Sequence, residues 1–276
     1  KKEKTPPEII ESALLRVIYT FSQKAEKERE PIILTDTMAL VVGQNHSVYY
    51  DWNKIRRDSI NNLKQNIPME KLKSVNVMKD ESVLQSRLEM RQEPTFISDE
   101  SKGESAKLYK NRGTNEVITM DKGPSEGLSN PVQTYLQVKE PITQDWTITE
   151  DTLTVLNYPC QKATTNFRGR NYSAWFTLDI PIGDGPWKLY GLPGMILKAE
   201  DADGIFHFQA IGIEQTPNET VNKPTDRKIV PSTLKQLKEY RKNRFKNLRY
   251  GFFDGSTLNM YQGRNPIVFN ELEIIE

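Results

Sequence analysis

Four aromatic side chains and two arginines stand close together in the second half of the chain, and their shared chemistry is recognition. Trp175, Trp187, Tyr172 and Tyr190 combine flat apolar area with a polar edge, and Arg168 and Arg170 bring forked donors. That combination suits a peptide, a glycan or a lipid headgroup. The alternative reading puts the rings in a core and pairs the arginines with Asp179 or Asp184. Groups able to make or break bonds are sparse. Cys160 is the one cysteine, which rules out a disulfide or a Cys-based metal cage within the chain and reads as a packing residue. Of the two histidines, His46 and His207, the second lies inside IFHFQAI and reads as a sheet residue. Gly123-Pro124-Ser125-Glu126-Gly127 has the GxSxG form, but a nucleophile elbow needs a helix directly afterwards, and Leu128-Ser129-Asn130-Pro131 follows. Glu200-Asp201-Ala202-Asp203-Gly204 starts like a calcium loop yet lacks the later ligands, so a hairpin turn accounts for it better. Asp179, Asp184, Glu200 and Asp201 could supply a glycosidase pair, for which the sequence fixes no separation. No catalytic residue, metal ligand or cofactor is assigned.

What would position the aromatic group is a run of turn residues. In Gly191-Leu192-Pro193-Gly194 two glycines can take positive φ and Pro193 fixes its own, so the tetrapeptide reads as a sharp turn into a buried strand. Pro181, Gly183, Gly185 and Pro186 stiffen the loop before it, and together they are expected to hold Trp187 and Tyr190 at one end of a sheet.

The sheet itself is written in period-two patterns. Ala13 to Phe21 is apolar at every odd position, and Thr37 to Val42 and Ser47 to Asp51 are two further strands about a Gly43-Gln44-Asn45 turn, which makes an antiparallel meander. Residues 53–130 are charged and amide-rich and read as an excursion. It holds a short helix near Lys54 to Gln65, strands at Lys107 to Lys110 and Glu116 to Met120, and an exposed turn region from Gly123 to Pro131. Strand character returns at 134–139, 152–156, 159–167, 171–180, 195–200 and 205–213. In 171–180 the even positions Tyr172, Ala174, Phe176, Leu178 and Ile180 form an apolar face, whereas Met195, Ile196 and Leu197 are apolar on both faces, as in a strand covered on both sides. A basic helix is expected over 232–250, with Ser232 or Thr233 as its N-cap and a solvated charged face, followed by a short strand after Pro266. The fold class is therefore mainly β: an antiparallel, strongly curved sheet or open half barrel with one or two peripheral helices, in a single domain over residues 1–276.

Composition agrees. The 276 residues carry 38 Lys+Arg against 37 Asp+Glu, a net charge of +1, which argues against bulk nucleic-acid binding. The longest apolar stretch, Met38 to Val42, is far shorter than the ~20 residues of a transmembrane helix. The opening KKEKTPPEII has no apolar h-region, consistent with a cytosolic protein or with a signal segment already removed.

The block from Tyr158 to Gly204 resembles the GLPGLI family of Bacteroidota, whose signature stands here as Gly191-Leu192-Pro193-Gly194-Met195-Ile196. The similarity extends to Cys160 with Lys162-Ala163, to Phe167-Arg168-Gly169-Arg170, to Ala174-Trp175-Phe176-Thr177, to Asp179-Ile180-Pro181 and to Gly185-Pro186, and Met195 replaces the usual leucine. The resemblance implies an exported protein of the periplasm or cell surface, a cleaved signal before Lys1, and a family without an assigned activity. The functional expectation is non-catalytic binding of a peptide, glycan, lipid or envelope protein. The candidate surface is Trp175, Trp187, Tyr190, Arg168 and Arg170, beside the Gly191 to Gly194 turn. The alternatives are a glycan- or peptide-directed hydrolase using Asp/Glu chemistry, which requires two facing carboxylates with one pKa raised, and a structural component of a surface complex, which requires a flat apolar patch.

Overall fold

The computed structural model describes residues 8–27, 29–53, 104–126, 132–216, 219–223, 228–246, 249–253, 258–262, 267–269 and 271–274. By their contacts the residues fall into two compact units, 1–51 with 102–276, and 52–101. The first unit holds the strands and the helix described below. The expected helix near Lys54 to Gln65 lies outside the described residues.

Strand β1 (Glu8–Lys27) is the spine of a 14-stranded sheet. On one side it pairs antiparallel with β2 (Glu30–Gly43) over most of its length. On the other it meets three strands in turn: β12 (Thr220–Lys223) at Glu8 to Ser12, β11 (Phe206–Gln215) at Leu15 to Gln23, and β16 (Ile267–Phe269) at Ala25 to Lys27. Beyond β2 the meander continues through β3 (His46–Asp51), β4 (Lys107–Asn111), β5 (Glu116–Glu126) and β6 (Val132–Pro141), where β13 (Lys228–Pro231) adds in parallel. Beyond β11 a second meander runs through β10 (Met195–Asp201), β9 (Arg170–Thr177), β8 (Tyr158–Phe167) and β7 (Thr147–Val155). β7 and β13 are the two ends of this order and do not pair with each other, so the sheet is open, mainly antiparallel and not closed into a barrel. A separate hairpin pairs β14 (Arg249–Phe253) with β15 (Leu258–Gln262).

Each half of the sheet sends one face to a common core. Val17, Tyr19 and Phe21 of β1 meet Met38, Leu40 and Val42 of β2, Tyr49, Leu108 and Val117 on one side, and Phe206, Phe208, Tyr172, Ala174 and Phe176 on the other. The apolar positions at 13–21 and 171–176 are on this inner face, as their alternation dictates. Leu178 breaks the pattern at 60% exposure, because β9 ends at Thr177. Met195, Ile196 and Leu197 are all buried, helped by a register shift after Ile196.

Helix α1 (Leu234–Lys246) is shorter than the expected 232–250, and Arg249 already belongs to β14. Thr233 and Gln236 form a reciprocal capping box: the Gln236 N–H donates to Thr233 Oγ1 (3.2 Å) and the Thr233 N–H to Gln236 Oε1 (2.8 Å). Leu237 packs on Leu136 and Val138 of β6, and Arg241 reaches Glu104 and Asp121 (2.6 and 2.7 Å). One other expectation is corrected. The stretch from Gly123 to Glu126 is strand in β5, accommodated by a register shift between Lys122 and Ser125, while the strands expected at 107–110 and 116–120 are present as β4 and the first part of β5.

Candidate functional site

The loop 178–194 between β9 and β10 does not stand at the end of the sheet. It lies over the inner face as a plug, with Ile180, Trp187, Leu189, Tyr190 and Leu192 all in the main core cluster. Its glycines work by close approach. A Cβ on Gly194 would lie 1.9 Å from the Thr177 carbonyl oxygen, and one on Gly183 would lie 2.5 Å from that of Leu192. Gly191 alone of the tetrapeptide has positive φ, at 91°, so the reading of Gly194 as a second left-handed residue is corrected.

Buried charge fastens the plug. Asp184 has no exposed side chain and is paired with Lys110 Nζ and with Arg112 Nη1 (2.6 Å), and the Gly185 N–H also donates to it (2.7 Å). Burial would raise this carboxyl, but the two cations outweigh burial and hold it below the usual carboxylate range. Lys110, equally buried, donates on to the Gly185 carbonyl (2.6 Å), and burial pulls its ammonium down. A second cluster joins Lys188 to Glu140 and to Glu273 (2.5 Å), with Arg168 donating to Glu140 (2.6 Å). The β6–β7 connection completes the seam: Gln144 donates to the Lys188 carbonyl (2.7 Å), Trp146 to that of Tyr190 (2.8 Å), and the Tyr190 hydroxyl to that of Ile142. Burial pushes the Tyr190 phenol up to about 12, with Asp184 adding to the rise.

This geometry separates the expected recognition residues. Trp187, 1% exposed, packs between Phe167 and Tyr172 at a positive φ of 51°, and Tyr190 is 3% exposed. Arg168 and Gly169, with φ of 52° and 76°, form the two-residue turn of the β8–β9 hairpin. Arg170 pairs with Asp201 (3.3 Å), donates to the Glu271 carbonyl and lies 4.9 Å from the Phe206 ring. The arginines therefore pair with Glu140 and Asp201, whereas the partners weighed from sequence were Asp179 and Asp184. Asp201 also accepts the N–H groups of Ile205 and Phe206 (2.7 Å each), which makes the Glu200 to Gly204 segment a hairpin turn. Among the described residues no group of three His, Cys, Asp or Glu is placed to hold a metal ion. Cys160 is buried, and burial pushes its thiol up.

Trp175 alternates with the inner-face residues Ala174 and Phe176, and although it is buried and still belongs to the main core cluster, its register partners lie on the opposite, outer face, where the structure assembles something the aromatic count did not reveal. Register partners on that face form two rows across the strands. In the first, Thr147 faces Thr164, Thr164 faces Ser173, and Ser173 faces Glu200; the row then passes through His207 and Ser22 to Thr35. In the second, Lys162 and Lys198 flank Trp175, and Gln209, Thr20 and Thr37 continue it. The two lysine ammoniums lie 5.8 and 4.4 Å from the Trp175 ring centre, and the ring is 8% exposed. Near the β8–β9 turn the first row opens into a groove of about 320 Å³, lined by Asp145, Thr147, Thr164, Asn166, Asn171 and Ser173 among others. Asn166 donates to Asn171 across the hairpin (2.9 Å). The sequence signal was present as the polar partners in the alternating segments TTNF and NYSAWF, which one apolar-face reading passes over.

Comparisons with known proteins bear on the fold and on the plug. A family model described as a protein of unknown function (Porph_ging) matches residues 168–198, from the β8–β9 turn through the plug into β10. The solved structure of PNGF-II in a P21 space group is similar at a TM-score of 0.51 and 14% identity, covering 89% of this chain and 37% of that one. Its C2 counterpart gives a TM-score of 0.49 at 13% identity, covering 87% and 35%. The chain thus spans little more than a third of the PNGF-II chain, and the likeness is one of fold. No curated protein sequence matches the chain.

Proposed function

We propose that the protein is a non-catalytic binding protein of the periplasm or cell surface, and that its binding surface is the outer face of β7 to β10 around the groove. The observation that carries this reading is the groove itself, where the hydroxyls of Thr147, Thr164 and Ser173 and the amides of Asn166 and Asn171 converge on one open surface beside Trp175. Such side chains hold ligands by directed hydrogen bonds, and Asp145 is the one carboxylate among the described residues of the lining, without a second to face it. Two carboxyls, Glu11 and Asp184, are held below their ordinary values, the first by the N–H groups of His46 and Asn45 against the opposing effect of burial. Hydrolysis by an Asp/Glu pair calls for the opposite shift in one member. Of the five residues first singled out, Trp175 remains in the proposed surface, and Arg168, Arg170, Trp187 and Tyr190 serve the plug and the hairpin.

The test is calorimetric titration of the protein with soluble oligosaccharides, with unstructured peptides and with short-chain phospholipid, repeated on Thr164→Val/Ser173→Ala. One class should bind, and the double variant should weaken it about tenfold through two lost hydrogen bonds, with melting unchanged. Absence of binding by all three classes, or equal binding by the variant, would count against this surface.

A further inference from the structure

Resting on that reading, we infer that the ligand is a neutral, extended glycan chain that runs across the strands along the two outer-face rows, with one sugar ring per strand. Three features on this face select it. Spacing is the first: neighbouring strands are ~4.8 Å apart and successive rows along a strand ~7 Å apart, so the face offers a regular two-rail lattice. A pyranose ring in an extended β-linked chain has about the length of one strand spacing and presents hydroxyls on both edges. Chemistry is the second. Apart from Trp175 the two rows consist of polar side chains, chiefly Thr and Ser with Gln209, and Lys162 and Lys198 hold their ammonium groups beside the Trp175 ring as further donors.

Charge is the third. Within the rows Lys162 is paired with Asp151 (3.2 Å) and Lys198 with Glu200 (3.4 Å), and His207 Nδ1 lies 3.5 Å from Glu200 Oε2. Each lysine of the rows thus has a carboxylate partner and the groove adds the carboxylate of Asp145, leaving directed hydrogen bonding in place of an attraction for a polyanion. An extended peptide is recognised by adding to a sheet edge or by side-chain pockets, and these rows lie on a sheet face. The twist of the sheet rotates its surface about the direction of the rows, so a single flexible chain can follow it and a flat crystalline face cannot.

The experiment compares β-1,4-linked cello- and chito-oligosaccharides of one to six rings with maltohexaose and with an unstructured peptide, by calorimetry at low and high salt. The hexamers of one β-linked series should bind at least about tenfold tighter than the trimer, since each added ring meets another strand. Maltohexaose, whose chain curls, should gain no such increment, and salt should change little. Thr20→Val/Thr37→Val, at the β1–β2 end of the second row, should weaken the hexamer several-fold and leave the trimer unchanged, with an unaltered melting curve as the control for folding. Equal affinity for trimer and hexamer, a steep loss with salt, or no effect of Thr20→Val/Thr37→Val would overturn the glycan track. If only peptide or phospholipid binds and Thr164→Val/Ser173→Ala abolishes it, the binding surface stands and the glycan is refuted. Silence from every probe refutes both.

Discussion

Substituting Asp184 by asparagine tests the claim that the plug, loop 178–194, is held in place by buried charge. The change keeps the side-chain volume and removes the charge, which leaves the Lys110 ammonium at 0% exposure with neutral acceptors only, the amide oxygen and the Gly185 carbonyl, and no countercharge. Arg112 loses its carboxylate as well but keeps the Gly43 and Gln44 carbonyls (2.7 and 2.8 Å). Breaking a buried pair from one side costs about 3–5 kcal/mol, chiefly because an unpaired charge remains buried. For a chain of this size that corresponds to a fall in Tm of about 6–20 °C. The measurement is urea denaturation at pH 7 with the slope checked for constancy, alongside a thermal scan. Lys110→Met/Asp184→Asn removes the orphaned cation and should regain at least about 1 kcal/mol over Asp184→Asn. Acid titration gives an independent reading. A carboxyl whose pKa is lower folded than unfolded binds fewer protons in the folded state, so its stabilisation is complete above the unfolded value near ~4 and is lost as pH falls through the folded value. Wild type should therefore lose stability below about pH 4, and Asp184→Asn should lose less over that window. A loss under about 1 kcal/mol for Asp184→Asn at unchanged slope, or an unaltered acid profile, would refute the role given to the buried pair.

Three further outcomes follow from the geometry. Gly194→Ala should abolish folding or soluble expression, because its Cβ would lie 1.9 Å from a backbone oxygen, whereas Gly191→Ala, with positive φ and open space, should cost only ~1–2 kcal/mol; equal effects in denaturation would show that the approach is not rigid. Trp187→Ala should lose about 3–5 kcal/mol as a core truncation and Trp175→Ala about 1–3 kcal/mol, since the second ring packs beneath lysines on the outer face. Reversed order in chemical melts would make Trp175, which also belongs to the main core cluster, the more tightly packed of the two rings. Cys160, buried and with its thiol pushed up, should resist a thiol reagent in the native protein and react on denaturation; rapid native labelling would contradict its burial.

Much of the sheet could be read from alternation, because an inner face requires every second residue to be apolar whatever its partner strand. Ala13 to Phe21 and Tyr172 to Phe176 declare themselves in this way. The same logic hid the plug. Trp187, Leu189, Tyr190 and Leu192 follow no strand period, and their burial depends on a surface assembled from strands far away in sequence. Lys110 in KLYKN looks like the solvated member of a short strand. Its burial follows from Asp184, 72 residues beyond its neighbour Arg112, and local pattern carries no trace of such a partner. The proposed groove is lined chiefly by threonine, serine and asparagine with Asp145, side chains that a list of aromatics and arginines passes over and that come together only when register aligns them.

β1 fixes the order in which this molecule can become whole. Its Arg16 pairs with Glu214, 198 residues later, and its two ends close on β12 and β16, later still. Such pairings raise contact order and slow folding, since loop closure precedes the contacts that reward it. As the chain becomes available from its N-terminus, the β1–β6 meander can form early, but one edge of β1 stays bare until β11 arrives. During that interval the partly folded protein presents an unpaired edge strand with an apolar face, the form most exposed to mispairing with another chain. The long first strand therefore leaves the partly folded protein open to mispairing at the very edge that, once filled, unites its two meanders.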